Sequence, residues 1–78
     1  FLGTNGIAVG PGFTTPDPEE AMVKAGAAAQ ARETWVLSDS SKFGTITAAS
    51  VLPLNRARII TDLLDDQRYL EYTDIKVV

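Results

Sequence analysis

The chain reads as an α/β domain built on a mostly parallel sheet with flanking helices. Three observations carry that reading. Two short runs, Thr34-Trp35-Val36-Leu37-Ser38 and Ala57-Arg58-Ile59-Ile60-Thr61, are β-branched or aromatic and bounded by polar residues, as strands are. The stretch Ala21 to Ala31 is rich in alanine, the best helix former. The two kinds of segment alternate, which is the pattern of α/β folds.

Taken in order, Phe1-Leu2 is the tail of a strand, and Gly3 to Pro16, with its glycines and prolines, is a loop. A helix starts near Asp17. Asp17-Pro18-Glu19-Glu20 offers a capping carboxylate, proline at the first helical position and glutamate at the third. Gly26 costs this helix roughly 1 kcal/mol against alanine, and close packing on a sheet is the expected compensation. Thr34 to Ser38 is a buried strand with Trp35 in the core. It leads into the polar loop Asp39-Ser40-Ser41-Lys42-Phe43-Gly44. Thr45 to Val51 is a weak strand, Pro53-Leu54-Asn55 a turn, and Ala57 to Thr61 a strand. Leu63 to Tyr72 has near-helical apolar spacing, with Asp65-Asp66 as a solvated helix start, and Asp74 leads into a final strand. In parallel sheets ligands bind at the carboxyl ends of strands, so the loops after Leu2, Ser38 and Thr61 are expected on one edge.

Composition excludes several classes. With 78 residues the chain is one domain at most, and 45% apolar with 22% charged residues is ordinary globular usage. There is neither cysteine nor histidine, so disulfides, thiolate metal sites and the commonest general base are absent. No apolar run approaches the ~20 residues of a membrane-spanning helix. The net charge of −3, with scattered Lys and Arg, argues against nucleic-acid contact by this segment. Phe1-Leu2-Gly3 lacks an initiator methionine and the chain stops on Ile75-Lys76-Val77-Val78, so a fragment of a longer domain is expected.

Several residues have both a chemical and a plain reading. Gly3-Thr4-Asn5-Gly6 follows a strand end and reads first as an ordinary turn, since Asn-Gly is a common turn pair; it also suits an oxyanion, with Asn5 as an amide donor and acceptor. Thr14 and Thr15 precede a helix N-terminus, where phosphate is attracted, or they help to cap it. Lys24 follows Glu20 by one turn and is either a surface ion pair or a cation facing the cleft. Asp39 and Lys42 place a carboxylate and an ammonium at a strand end, fit for sugar hydroxyls and phosphate, or for pairing with each other.

The succession Leu2-Gly3-Thr4-Asn5-Gly6-Ile7, Gly12-Phe13-Thr14-Thr15-Pro16, Glu20-Ala21 with Lys24, Val36 to Gly44, and Ile59-Ile60-Thr61-Asp62 resembles the C-terminal sensor domain of DeoR-family regulators, through nearly the whole chain. The resemblance implies a bacterial cytoplasmic transcriptional regulator, usually a repressor. Residues 1–78 would be part of its effector-binding domain. It implies a phosphorylated sugar or polyol as effector, a homo-oligomer, no enzymatic activity and no cofactor or metal. DNA would be bound only through an N-terminal helix-turn-helix domain outside this chain. The ligand-binding residues would be Asn5, Gly6, Thr14, Thr15, Lys24, Asp39 and Lys42.

The segment also resembles ribose-5-phosphate isomerase, of the phosphosugar-isomerase and CoA-transferase type of fold. Asp39 and Lys42 match that enzyme's last motif. Leu2 and Asn5 stand where its two aspartates would be, Thr15 where its loop lysine would be, and Lys24 where its helix glutamate would be. Isomerisation needs a positioned base, and a protonated lysine is a poor one, so the departure favours a sensor. An isomerase fragment and an oligomerisation module with a vestigial pocket are the alternatives.

Overall fold

The computed structural model describes residues 1–78. Four strands, β1 (Leu2–Gly3), β4 (Trp35–Leu37), β6 (Arg58–Thr61) and β7 (Ile75–Val77), form a parallel sheet in the order β1-β4-β6-β7. Three others, β2 (Gly6–Ala8), β3 (Gly12–Thr15) and β5 (Ala49–Leu52), form an antiparallel sheet in the order β2-β3-β5. The helix α1 (Pro18–Gln30) connects β3 to β4 and lies against β3 and β5. The α/β class and the parallel sheet are as the alternation of segments predicts.

The stretch Gly3 to Pro16 is a hairpin where the sequence suggests a loop. Gly6 pairs with Thr14, Ile7 with Phe13 and Ala8 with Gly12. Its short strands hide among glycines and threonines, so no alternation of apolar and polar residues marks them. Gly10 and Gly12 adopt positive φ around Pro11 and turn the chain back. The hairpin delivers Ile7 and Phe13 onto one face of the parallel sheet. There they join Val36, Leu54, Ala57, Ile59 and Tyr69 in the core.

The other face of that sheet is open. Register puts Trp35 level with Arg58 and Leu37 level with Ile60. Leu37 is 47% exposed and Trp35 only half-buried. The expectation of a buried strand with a core tryptophan is thus corrected: Val36 alone is buried. Trp35 instead lies under the Arg58 guanidinium, 5.6 Å from the ring centroid, and its Nε1 donates to Glu33 Oε1 at 3.0 Å.

Asp17 caps α1 as predicted, its Oδ1 accepting from the Glu19 amide at 2.9 Å, with Pro18 at the first position. Glu20 does not complete the capping box; it pairs with Lys24. A methyl group added at Gly26 would meet nothing within 4 Å beyond its own helix, so close approach to a sheet does not explain the glycine. Between Leu63 and Tyr72 only a 3₁₀ turn, Gln67–Glu71, forms in place of the expected helix. Asp66 is the reason. Its carboxylate accepts from the Arg68 amide and grips the Arg68 guanidinium through both oxygens, a local capping arrangement that competes with continued helix.

Candidate functional site

The C-terminal edge of the parallel sheet gathers the loops that the sequence places there. Because β1, β4 and β6 are adjacent and parallel, their ends at Gly3, Leu37 and Thr61 share one rim. From it rise Thr4-Asn5, Ser38 to Lys42, and Asp62. One contact joins two of them directly: the Ser40 amide donates to Asp62 Oδ1 at 2.8 Å. Beyond them the Gly44 amide donates to the Ile7 carbonyl of β2 at 2.7 Å, and Thr45 Oγ1 donates to the Ser41 carbonyl of its own loop at 3.3 Å.

Asp39 opens a single 3₁₀ turn, Ser40–Lys42. Its Oδ1 accepts from the Ser41 amide at 2.9 Å and from the Ser41 hydroxyl. The hydroxyl bond first, then the amide bond and the charge of Lys42 hold the carboxyl below its ordinary value of 3.8. A carboxylate so depressed supports the turn at pH above its unfolded value, and the support is lost as pH falls through the lower folded value. Acidification below about 3.8 is therefore expected to release the turn. The Ser41 amide proton, followed by nuclear magnetic resonance, should titrate with an Asp39 midpoint under 3.8; a midpoint at or above it contradicts the assignment. Lys42, half-buried, forms no ion pair, in contrast to Lys24, Arg58 and Arg68.

Lys24 satisfies both of its readings. Its ammonium pairs with Glu20 at 2.6 Å and also donates to the Gly3 carbonyl at 2.9 Å, which fastens α1 to the end of β1. It stands at the rim, but with two partners already.

Thr14 and Thr15 are buried, at 1% and 0% exposure. The Thr15 hydroxyl donates to Asn5 Oδ1 at 3.2 Å, and Thr14 Oγ1 accepts from the Thr47 amide and hydroxyl at 3.0 and 2.9 Å. Neither contributes to the cap of α1, which is Asp17. The Asn5 amide donates to Thr14 and the Thr4 hydroxyl also reaches that carbonyl, so Gly3 to Gly6 is a tied turn without a free oxyanion cradle at Asn5. Gly6 is walled by the Thr45 carbonyl and the Thr14 hydroxyl, which leaves no room for a side chain.

Asn5, Asp39 and Lys42 thus lie on loops that leave this rim and Lys24 is fastened to the end of β1, with no hydrogen bond or ion pair between the Asn5 and Lys24 side and the Asp39 turn, while Gly6, Thr14 and Thr15 are buried in the hairpin. Beside the Asp39 turn lies a cleft of about 230 Å³ lined by Ser40, Phe43, Gly44, Asp65, Arg68 and Tyr69, among others. None of the seven sequence-chosen residues lines it. Sequence reasoning passed over Ser41, Thr47 and Asp62 as polar partners. Asp62 could have been found, since it follows a strand that ends on the same edge; Thr47 sits in a segment with no pattern to mark it.

In open α/β folds such an edge, where polar loops leave the carboxyl ends of parallel strands, is the place at which ligands bind. Residues 1–63 match the family model described as the DeoR C-terminal sensor domain, and the chain belongs to that family of transcriptional regulators. It is also 47% identical, over 81 aligned residues, to the uncharacterized HTH-type transcriptional regulator FruR of Bacillus subtilis (strain 168). That alignment takes in 100% of the chain and 32% of the relative, so the chain spans about a third of the curated relative it matches. No helix is long and apolar enough to cross a membrane.

Proposed function

We propose that this chain is the part of a regulator's sensor domain that binds a phosphorylated sugar or polyol, and that the bound metabolite alters DNA binding by the complete protein. Membership of the DeoR sensor family and the likeness to an HTH-type regulator support this reading. The observation that carries it is Lys42, a cation without an ion pair on a strand-end rim beside the ordered Asp39 turn. Lys42 would take the phosphate, with Lys24 adding charge. Asp39 would keep the turn in place, and Asn5 would meet hydroxyls. Gly6, Thr14 and Thr15 would hold the hairpin against the rim. The adjoining cleft, floored by Phe43 and Tyr69, has room for the carbon chain. The domain would act by changing the arrangement of a homo-oligomer, because a ligand shifts an equilibrium only through its different affinity for the two states.

Proton transfer is not part of the proposal. Asn5 and Thr15 are neutral, and Lys24 is held by a carboxylate and a carbonyl, so none of them is the base an isomerase needs.

The test is the thermal stability of the complete protein against a panel of sugar phosphates and phosphorylated polyols at fixed protein concentration. A true effector at ~100 times its dissociation constant adds about 2.7 kcal/mol to stability. One or a few responsive compounds are expected. A flat response across the panel from a folded protein would remove the sugar-phosphate reading.

A further inference from the structure

The largest recess of the chain lies at the opposite end of the parallel sheet from the strand-end rim, with a volume of about 360 Å³. Its walls come from segments that precede strands: Arg32, Glu33 and Thr34 before β4, Asn55, Arg56 and Ala57 before β6, and Tyr72 to Asp74 before β7. Its lining is polar apart from Ala57 and the Tyr72 ring.

Charge is distributed unevenly in it. Three arginines meet two carboxylates, and both carboxylates are spent on one arginine. Arg58 pairs with Glu33 at 3.0 Å and with Asp74 at 3.6 Å, and it is further held over Trp35. Arg32 and Arg56 form no ion pair. A chain with a net charge of −3 therefore keeps two uncompensated guanidiniums in its largest recess. Each can offer paired N–H donors to a carboxylate or phosphate. Asn55 and Tyr72, in the same lining, add a neutral amide and a hydroxyl. A volume of this order suits a small molecule, for which sites begin at about 300 Å³. A second recess of about 250 Å³ shares Asn55 and Tyr72 and is closed by Pro53 and Leu54, so an anion with a short apolar group fits the pair.

We infer that this recess is a second anion-binding site, separate from the strand-end rim, in which Arg32 and Arg56 hold a small metabolite bearing a phosphate or carboxylate group. Strands β4 and β6 run directly from this recess to the Asp39 and Asp62 loops, so occupancy at one end bears on the strands that carry the other. The site stands on its own residues and does not require that the rim bind a sugar phosphate.

The experiment is calorimetric titration of the complete protein with inorganic phosphate and, separately, with malonate, at ionic strength held constant with sodium chloride. Arg32→Gln, Arg56→Gln and the double variant are made in a Lys42→Gln background, which removes the unpaired rim cation, and are compared with that background and with Lys76→Gln, an exposed lysine outside both sites. Melting curves without anion establish that each variant is folded; the exposed positions of Arg32 and Arg56 make that the expected result. Saturable binding of at least one anion by the Lys42→Gln protein is expected, weakened tenfold or more when both arginines are also replaced and changed less than twofold by Lys76→Gln. A preference for phosphate or for malonate identifies the ligand group. No saturable binding of either anion by the Lys42→Gln protein overturns the site, as does binding that survives replacement of both arginines or is lost in Lys76→Gln.

Discussion

Gly12→Ala is expected to destabilise the domain by about 3–5 kcal/mol, combining an overpacking cost with a backbone one. Gly12 sits at φ +80, and a methyl group there would press on the Leu52 carbonyl and come within 2.9 Å of Pro53 Cα. Both obstacles are backbone, so no side-chain rotation relieves them. The loss is large against a typical total of about 5–15 kcal/mol. Two other glycines separate the contributions. Gly10 has φ +97 but open space around it, so Gly10→Ala carries only the backbone strain, roughly 1–2 kcal/mol. Gly6 has no positive φ but faces the Thr45 carbonyl and Thr14 hydroxyl, so Gly6→Ala carries only the crowding, about 1–3 kcal/mol. Urea unfolding of the three variants should rank Gly12 above the other two. Equal losses at Gly10 and Gly12 would show that the Leu52-Pro53 wall yields.

The same glycines mark the limit of what the sequence discloses. Strands β4 and β6 and helix α1 are legible because each carries a dense local signal: Val36 and Ile59 in β-branched runs, and Asp17-Pro18 ahead of an alanine tract. Their parallel order places the rim correctly. The hairpin of β2 and β3 is not legible, because its strands are short and its pairing depends on Gly6 and Gly12 fitting under other backbone. Thr14 and Thr15 looked like ligand groups for the same reason. Hydroxyls before a helix suggest an anion site, and only the fold turns them inward onto Thr47 and Asn5. Trp35 and Leu37 misled in the opposite direction. An apolar run in a parallel sheet implies cover on both faces, whereas here only the Val36 face is covered. The turn that Asp39 opens is readable because it is local, although the ion pair between Asp39 and Lys42 that the spacing allows does not form.

That locality makes Lys42 the sharpest probe of the rim. Lys42→Gln is expected to weaken binding of the responsive sugar phosphate by about 10- to 100-fold, the loss of a charge-assisted hydrogen bond worth about 1.5–3 kcal/mol. Stability without ligand should change by no more than about 0.5 kcal/mol, because the ammonium forms no ion pair and its charge is the least of the contributions that hold the Asp39 carboxylate. Lys24→Gln should behave differently. It removes the bond to the Gly3 carbonyl and the Glu20 pair, so stability and affinity should fall together. The contrast separates a residue that meets ligand from one that positions the helix against the strand end. Calorimetric titration with the responsive compound, alongside melting curves and operator-DNA binding by the complete protein, reads all three quantities. Loss of affinity in Lys42→Gln without loss of stability, accompanied by a matching shift in the effector concentration that alters DNA binding, places the phosphate at this turn. Unchanged affinity in Lys42→Gln would move the effector away from the Asp39 turn altogether, since no other cation without an ion pair stands beside it.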